Sequence, residues 1–284
     1  MESLLLDYEA MVRATCFAVT FVVLAAFEQA APARVRRVSR WERWTRNLAI
    51  AGLGAVTVRL LVPLLAVGTA VWAEQAGFGL FNQVDRNQMG WPAGIEIAAS
   101  VIVLDLVIYL QHRAMHRVPL LWRLHRTHHS DEELDVTTGG RFHPMEIWFS
   151  MGVKMAAVAL LGAPPAAVVL FEVILSCMAL FNHSNLRLPS QLDRALRLVI
   201  VTPAMHRVHH SPERSETNSN FGFNLSCWDR LMSSYRETVR NPDATFAIGL
   251  KSHRDPATRR FWALIIDPFR DMSDDINANP GRNS

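Results

Sequence analysis

The sequence predicts an all-α, polytopic membrane protein with about three spans, a re-entrant or short helical hairpin, and a cytosolic helical cap rich in histidine. Half of the 284 residues are hydrophobic, and they occur in long blocks. Arginine is concentrated between the first two blocks, which sets the orientation of a membrane protein. Ten of the eleven histidines fall between residues 112 and 210, which indicates a single specialised region.

The first apolar block covers residues 10–27 and follows an acidic start rather than the basic start of a signal peptide. As a helix, a block of this length extends roughly 27 Å, just short of a typical hydrocarbon core. We predict a first, marginal span that begins outside the cell, with the side chain of Arg13 reaching back to the membrane surface.

A basic loop comes next, with six arginines in residues 34–46 and Glu42 as the one acidic residue. By the positive-inside rule this loop is cytoplasmic. The block that follows, residues 48–73, carries a single charge, Arg59, and has tryptophans near its ends, where aromatic belts form: Trp41, Trp44 and Trp72. We predict a second span here.

Residues 74–92 are polar, and on this topology they face the non-cytoplasmic side. A third span over residues 93–111 then returns the chain to the cytoplasmic surface, where the histidines begin. Four side chains at the end of this helix share one face: Asp105, Tyr109, His112 and His116. Because an intramembrane carboxylate is costly, Asp105 is a candidate for orienting a metal-bound imidazole; the alternative is a bond to a neighbouring helix.

Two shorter apolar runs, residues 147–161 and 166–182, are separated by the turn sequence GAPP. They predict a helical hairpin that enters and leaves the membrane on one side, so His183 returns to the face that carries the other histidines. Lys154 and Glu172 lie on opposite arms at similar distances from the turn. They either pair inside the hairpin or pack independently against other helices.

Beyond residue 185 the chain is polar. We predict a short amphipathic helix over residues 191–201, broken at Pro203, and expect the apolar segment 261–266 to pack on the cap or the membrane interface. The resulting division is residues 1–92 for the first helices and basic loop, 93–240 for the catalytic domain, and 241–284 for a cytosolic tail. The three cysteines lack metal or disulfide spacing and are expected to be reduced core residues: Cys16, Cys177 and Cys227.

The histidines occur in sets whose spacing places their rings on one face of a helix. The first set is His-x3-His, the second and third are both His-x2-His-His, and two single histidines lie between: His112, His116, His125, His128, His129, His143, His183, His206, His209 and His210. Neutral imidazole is the commonest metal-ligating side chain. A zinc site uses three or four protein ligands, so eight to ten imidazoles indicate two metal ions.

Six segments carry a family resemblance: HRAMH, HRTHH, RFHPME, FNHSN, MHRVHH and NFGFNLSCWDRL. Together they resemble the fatty acid hydroxylase and sterol desaturase superfamily of integral-membrane di-iron oxygenases. The resemblance covers about residues 95–236, and its ordered three-part histidine signature is highly specific. It implies two iron ions, with the eight histidines of the three sets as ligands, His183 as a further ligand, and His143 as either a ligand or a neighbour of one.

The resemblance also implies functional roles for five other residues at recurrent family positions: Asp105, Tyr109, Glu146, Asn220 and Asp229. One departure is visible. The turn after Trp228-Asp229 often carries Gly-Thr in the family, and here the chain reads Met232-Ser233-Ser234. This departure affects the local turn and leaves the ligand set unchanged.

Imidazole binds iron, copper, zinc and nickel alike, so the choice of iron depends on the resemblance. The implied activity is hydroxylation or desaturation of a C–H bond in a sterol, fatty acyl chain or related lipid, with O2 as co-substrate. An alcohol, an alkene and a cleaved ether are all compatible products. The Glu-x-x-His pattern of ferritin-like di-iron bundles is absent, so a different kind of iron site is expected.

Such chemistry needs two electrons per turnover from outside the enzyme. The sequence contains no nucleotide-binding glycine motif, iron–sulfur cysteine pattern or haem-attachment motif. We therefore expect an external donor, a ferredoxin or small haem protein served by an NAD(P)H reductase. It would dock on the cytoplasmic cap, where a basic patch is predicted from five residues: Arg187, Arg194, Arg197, Arg207 and Arg214.

Two other functions fit parts of the pattern. An intramembrane zinc hydrolase is disfavoured because His-Glu-x-x-His is absent and the histidines are too many. A histidine-rich metal transporter or sensor should carry its ligands along the spans near mid-membrane, whereas here they lie at span ends. The small net charge of +3 and the position of the basic loop beside an apolar block favour a membrane surface over nucleic acid as partner.

Overall fold

The computed structural model describes residues 6–83, 92–240 and 247–271. The helices in these ranges are α1 (Glu9–Ala30), α2 (Arg40–Leu61), α3 (Leu65–Gln75), α4 (Leu80–Gln83), α5 (Ala93–Arg117), α6 (Pro119–His129), α7 (Pro144–Leu161), α8 (Pro165–His183), α9 (Ser190–Leu196), α10 (Pro203–His209), α11 (Arg214–Thr217), α12 (Cys227–Leu231) and α13 (Phe261–Ile266). Short 3-10 turns occur at Val136–Gly140, Lys251–His253, Pro256–Arg259 and Asp267–Phe269. Over the described residues the β pairing consists of two isolated bridges, so the all-α prediction is confirmed there.

Five helical stretches are long and apolar enough to cross a membrane: Glu9–Ala30, Arg40–Gln83, Gly94–Arg117, Pro144–Leu161 and Pro165–His183. The first three correspond to the predicted spans, and the last two are the arms of the predicted hairpin. With 18 and 19 residues, these arms also meet the length of a span, so the candidates number five rather than about three. The chain is therefore an integral membrane protein. Residues 84–91 of the predicted outer loop and 241–246 and 272–284 of the predicted tail lie outside the described residues.

The hairpin between α7 and α8 turns at Gly162, whose φ of 67° is a left-handed conformation that favours glycine. Across the two arms, the Nζ atom of Lys154 lies 2.7 Å from Oε1 of Glu172. The two residues therefore pair inside the hairpin, which was one of the two predicted arrangements.

Helix α1 lies along α8, and the two helices run in the same direction. Their contacts advance together along both helices: Arg13 with Glu172, Thr20 with Cys177, and Glu28 with Asn185. The guanidinium of Arg13, predicted to reach the membrane surface, instead pairs with Glu9 at 2.9 Å and with Glu172. The sequence prediction missed this because the partner comes from a helix more than 150 residues away.

The second predicted span is interrupted at Pro63, between the end of α2 and the start of α3. Proline lacks an amide hydrogen and disfavours a helical conformation in the residue before it. Helix α2 contacts the start of α7, as Gly54 with Ile147 and Thr57 with Trp148 show. Helix α3 packs farther along α7, and Gly79, just after α3, reaches Ala159 near the end of α7. The second half of α2 and α3 together therefore form this span, and the first half of α2 extends into the cap.

The core of the membrane bundle lies where α3, α5, α7 and α8 meet. Its buried members are Ala66, Ala70, Leu104, Ile108, Val158, Ala163, Val168 and Phe171. Small side chains on α3 let it approach its neighbours closely, which is how helices pack in lipid. This packing fixes α5 and α8, the two spans whose ends carry histidines.

The cap is built on α6 and α10 and is closed by the chain after residue 247. The backbone amides of Gly249 and Leu250 donate to the carbonyl oxygens of His210 and His129, at 2.9 Å and 3.2 Å. The predicted helix over residues 191–201 is shorter, Ser190–Leu196, and Pro203 begins the next helix rather than breaking this one. Helix α13 buries Leu264 and leaves Trp262 73% exposed.

Candidate metal centre

Nine histidines meet in the cap as two buried groups, and within each group one nitrogen from each ring lies within 4.8 Å of the others. The first histidine group is His112, His116, His125, His129 and His209; the second is His128, His183, His206 and His210. Helix α5 ends in the first group and α8 ends in the second, while α6 and α10 contribute to both. Each group has enough donors to hold one metal ion.

The rings are held in place through their outward nitrogens. Five of them hydrogen-bond through Nδ1 to a carbonyl or carboxylate oxygen: His112 to Phe221, His125 to Glu146, His128 to Arg141, His183 to Ala179 and His209 to Ser219. A ring that donates from Nδ1 carries its lone pair on Nε2, so the bond fixes the tautomer and the direction of the free nitrogen.

The inward nitrogens fit a metal ion. In His116 and His210 both ring nitrogens are buried and have no hydrogen-bond partner. The same is true of the Nε2 atoms of His129 and His209. Other Nε2 atoms face each other at 2.9–3.1 Å, His112 with His125 and His183 with both His128 and His206. Buried polar atoms without partners are costly, and separations of about 3 Å are those of neighbouring ligands on one ion.

Burial also keeps these rings in the form that binds metal. It lowers the pKa of His128, His129, His206 and His210 well below the ordinary value, and the neighbouring rings lower it further. Burial likewise lowers the pKa of His209 to about 3. The imidazoles are therefore neutral at neutral pH, and no proton has to leave before a metal ion binds.

His143, predicted as either a ligand or a neighbour of one, lies outside both groups. It is the residue before the first turn of α7, where its Nδ1 accepts the amide N–H of Met145 at 3.2 Å. Its Nε2 lies 3.1 Å from the carbonyl oxygen of Ile265. Both nitrogens are thus occupied by the protein, so His143 is a helix-capping residue.

Glu146 supports the first histidine group directly. Its Oε1 lies 2.6 Å from Nδ1 of His125. This is the role predicted for Asp105, which instead accepts the backbone amide of Leu225 and the indole N–H of Trp228, at 3.1 Å and 2.8 Å. Asp105 therefore bonds a neighbouring segment, the alternative that the sequence left open.

The other three predicted residues shape the loop that follows α11. Asp229 accepts the amides of Phe221 and Gly222, both at 2.8 Å, and so fixes the carbonyl that holds His112. The hydroxyl of Tyr109 reaches this carboxylate through Ser234. Asn220 has a φ of 53° and donates to two backbone carbonyl oxygens. None of the three belongs to either histidine group, so they are positioning residues.

A cavity of about 240 Å³ leads from the first histidine group into the helical bundle. His112, His125 and Glu146 line the end beside the metal site, and the remaining wall is largely apolar. The lining comes from α5, α7 and α8, with Phe17 of α1 and Phe223 of the cap. A hydrocarbon chain can therefore lie along the apolar wall within reach of the histidines.

The fatty acid hydroxylase family model matches residues 97–234, a range that contains every member of the two histidine groups. Residues 97–234 belong to the fatty acid hydroxylase family. The resemblance stated from the histidine signature is confirmed.

The curated relatives that match this chain are named for activities on different lipids. The ornithine lipid hydroxylase OlsE of Rhizobium tropici is 31% identical over 179 residues, 63% of this chain and 52% of the relative. Alkylglycerol monooxygenase of Homo sapiens is 27% identical over 159 residues, 56% and 33% of the two chains. Delta(7)-sterol 5(6)-desaturase of Leptosphaeria maculans is 26% identical over 180 residues, 62% and 47%.

The chain thus spans about half the length of the ornithine lipid hydroxylase and a third of the alkylglycerol monooxygenase. Among solved structures there is no significant match.

A buried ionic network behind the hydroxylase family's histidines went unpredicted. Arg43 of α2 donates to both carboxylate oxygens of Asp131, at 2.8 Å and 3.1 Å, and also pairs with Asp135. Although burial opposes ionisation, the guanidinium groups of Arg43 and Arg141 hold the pKa of Asp131 well below its usual range. The network ties α2 to the end of α6. Sequence offered no signal, because Arg43 is one of six arginines in a loop whose bias explains them all.

Proposed function

We propose that this chain is a membrane-bound di-iron oxygenase that hydroxylates or desaturates a C–H bond of a lipid with O2 and external electrons. The observation that carries the proposal is the pair of buried histidine groups at the end of an apolar cavity. The named activities of its relatives, on an ornithine lipid, an alkylglycerol and a sterol, support a lipid substrate of the sterol, fatty acyl or related classes.

The nine grouped histidines are the proposed ligands, the first group for one iron and the second for the other. When bound, the iron pair supplies the capacity to activate O2 and oxidise an unactivated C–H bond. The protein's own part is placement: the apolar wall of the cavity aligns the lipid beside His112 and His125 and excludes water. Glu146 holds the proton of His125 on Nδ1 and so keeps Nε2 directed at the metal.

A metal transporter or sensor remains the alternative function, and the position of the histidines argues against it. A transporter would need metal-binding side chains along the spans. Here the groups are gathered where α5 and α8 end, and protein atoms hold their outer nitrogens. The site is arranged to retain metal rather than to pass it on.

The active site is proposed to face the cytoplasm, since the basic loop at residues 34–46 leads into the same cap through Arg43. Electrons would come from a ferredoxin or small haem protein with its NAD(P)H reductase. Of the five arginines of the predicted docking patch, Arg187, Arg194 and Arg214 are exposed. Arg197 is buried and paired with Asp193, so it belongs to the cap's interior.

Three measurements on the purified full chain test the function. Metal analysis should find about two iron ions per chain, and the oxygen of a hydroxylated product should derive from labelled O2. Turnover should require an added ferredoxin or haem-protein system. Zinc in place of iron, product oxygen derived from water, or turnover without a reductant would each contradict an oxygenase.

A further inference from the structure

The cavity carries a polar strip along one of its walls. Glu146, Ser150 and Lys154 follow one another at intervals of four residues on α7, which places them on one helical face, and all three line the cavity. Glu146 contacts His125 of the first histidine group. The helix rises about 12 Å from Glu146 to Lys154, so the lysine lies deep in the bundle at a fixed distance from the proposed metal site.

Lys154 has hydrogen-bonding capacity left over. Its ammonium group has three N–H donors, and its partner in the structure is Oε1 of Glu172, at 2.7 Å. Glu172 lies behind the lysine and does not line the cavity. A ligand in the cavity can therefore accept a hydrogen bond from Lys154 while the ion pair stays intact.

The charges around Lys154 select the kind of acceptor. Glu172 also pairs with Arg13, and Arg13 pairs with Glu9 at 2.9 Å, so two cations balance two carboxylates. A charged group in the cavity would leave an uncompensated charge within the membrane, which is costly. An ester or amide carbonyl or a hydroxyl adds an acceptor without adding charge.

We propose that Lys154 binds an uncharged oxygen of the substrate and thereby sets which carbon of the lipid reaches the histidine groups. This rests on the proposed function and narrows its substrate class to lipids with a neutral oxygen at a fixed distance from the oxidised carbon, a distance set by the rise of about 12 Å between Glu146 and Lys154 on α7. The carbon is then chosen by its distance from that oxygen, not by its distance from the chain's methyl end.

The structure offers a matched pair of variants. Lys154→Met removes the cation that lines the cavity and leaves Glu172 paired with Arg13. Arg13→Met removes the cation on the other side and leaves Glu172 paired with Lys154. Both variants lose one positive charge from the same cluster, so a purely structural role for the cluster predicts the same behaviour from both.

Competition binding of hexadecane, methyl palmitate and palmitate to the full chain in nanodiscs provides the test, corrected for partitioning. The wild type should prefer methyl palmitate to hexadecane by about tenfold, the effect of a hydrogen bond to a charged group. Lys154→Met should lose the preference, and Arg13→Met should keep it. Equal losses in both variants, no wild-type preference, or tighter binding of palmitate would overturn the proposal.

These binding measurements need neither iron nor O2, so their failure is separate from a failure of the oxygenase function. A second measurement uses turnover. As the acyl chain of the ester is lengthened by two carbons, the oxidised position should stay at the same distance from the ester oxygen. A position that instead stays constant relative to the methyl end would contradict the role of Lys154.

Discussion

At the scale of single residues, the hydrogen-bond partners of the two ring nitrogens differ between the histidines of the two groups and those outside them. In His116 and His210 neither nitrogen has a protein partner. In His143 both ring nitrogens have protein partners. In His253 one ring nitrogen contacts Ser252 and the other lies 2.8 Å from Asp267. Sequence spacing predicted the sets on α5, α6 and α10, but it could not distinguish His143 from His183, because each is a lone histidine at a helix end.

Replacing a grouped histidine should remove metal. His128→Ala and His209→Ala each delete one inward nitrogen from a different group, so each should lower bound iron by about one ion per chain and abolish turnover. Metal analysis of the purified variants measures this. His143→Ala is the control, since its nitrogens hold backbone groups, and it should retain both ions. Loss of metal from the control alone would reverse the assignment.

Acid should destabilise the metal-free protein through these same rings. Burial lowers the folded pKa values of His128, His129, His206 and His210 well below the ordinary value, and that of His209 to about 3. Below about pH 6.5 the unfolded chain binds protons that the folded chain does not. Each such histidine then costs about 1.4 kcal/mol of stability per pH unit. Thermal unfolding of the metal-free chain should show a falling midpoint from pH 7 to pH 5, and a rising midpoint would contradict it.

Residue roles that depend on tertiary contacts were the hardest to predict. Asp105 shares a helical face with His112 and His116, which made it the natural candidate to orient a ring. In the structure this contact is made by Glu146, which lies on α7 and bonds His125 of α6. Helical periodicity describes one helix at a time, so it cannot decide which neighbour supplies a partner.

Among the secondary-structure elements, long apolar runs predicted the membrane helices well, and short ones in the cap poorly. The arms of the hairpin and its turn were predicted within three residues at each end. The break at Pro63 was missed, although proline is a strong helix breaker, because apolar residues continue on both sides of it. The hydrophobic pattern reports burial in lipid, and a broken helix buries its side chains as well as a straight one.

A serine in the turn after α12 has a backbone conformation that glycine adopts more easily. Ser233 has a φ of 56°, a left-handed conformation that favours glycine. Ser233→Gly should relieve about 1–2 kcal/mol of backbone strain, against about 0.5–1 kcal/mol for the greater freedom of glycine in the unfolded chain, so the free energy of unfolding should rise. Urea titration in detergent measures the change. Ser234→Ala is the contrasting variant: its hydroxyl bonds Tyr109 and Asp229, so its loss should lower stability by about 1 kcal/mol. A destabilised Ser233→Gly would show that the side chain matters more than the backbone.

The contact between α2 and the cap should depend on Arg43. Arg43→Met leaves the carboxylates of Asp131 and Asp135 buried without their main cation, which should cost about 3–5 kcal/mol and release metal from the adjoining histidines. Thermal unfolding and metal analysis measure the two effects. Arg37→Met removes an exposed arginine from the same loop and should change neither. If the two variants behaved alike, the buried network would have no role in holding the cap.

The predicted orientation of the whole molecule rests on the arginine distribution and can be checked directly. Single cysteines placed at Ser39 and Gln83, in a background without the three native cysteines, should react with impermeant reagents from opposite sides of the membrane. The cytoplasmic side should label Ser39→Cys. Labelling of both from one side would mean that α2 and α3 do not together cross the bilayer.

The wrapping of the cap by distant parts of the chain sets an order of events during biosynthesis. The backbone at His129 and His210 is bonded to Leu250 and Gly249, and Arg43 holds the loop after α6 from the other side. Nascent chains emerge from the ribosome amino end first, so the last of these supports appears only after all nine grouped histidines have been made. A truncated or stalled chain would therefore expose its imidazoles unsupported. The folded cap can therefore hold metal ions only after the chain has been synthesised past residue 250.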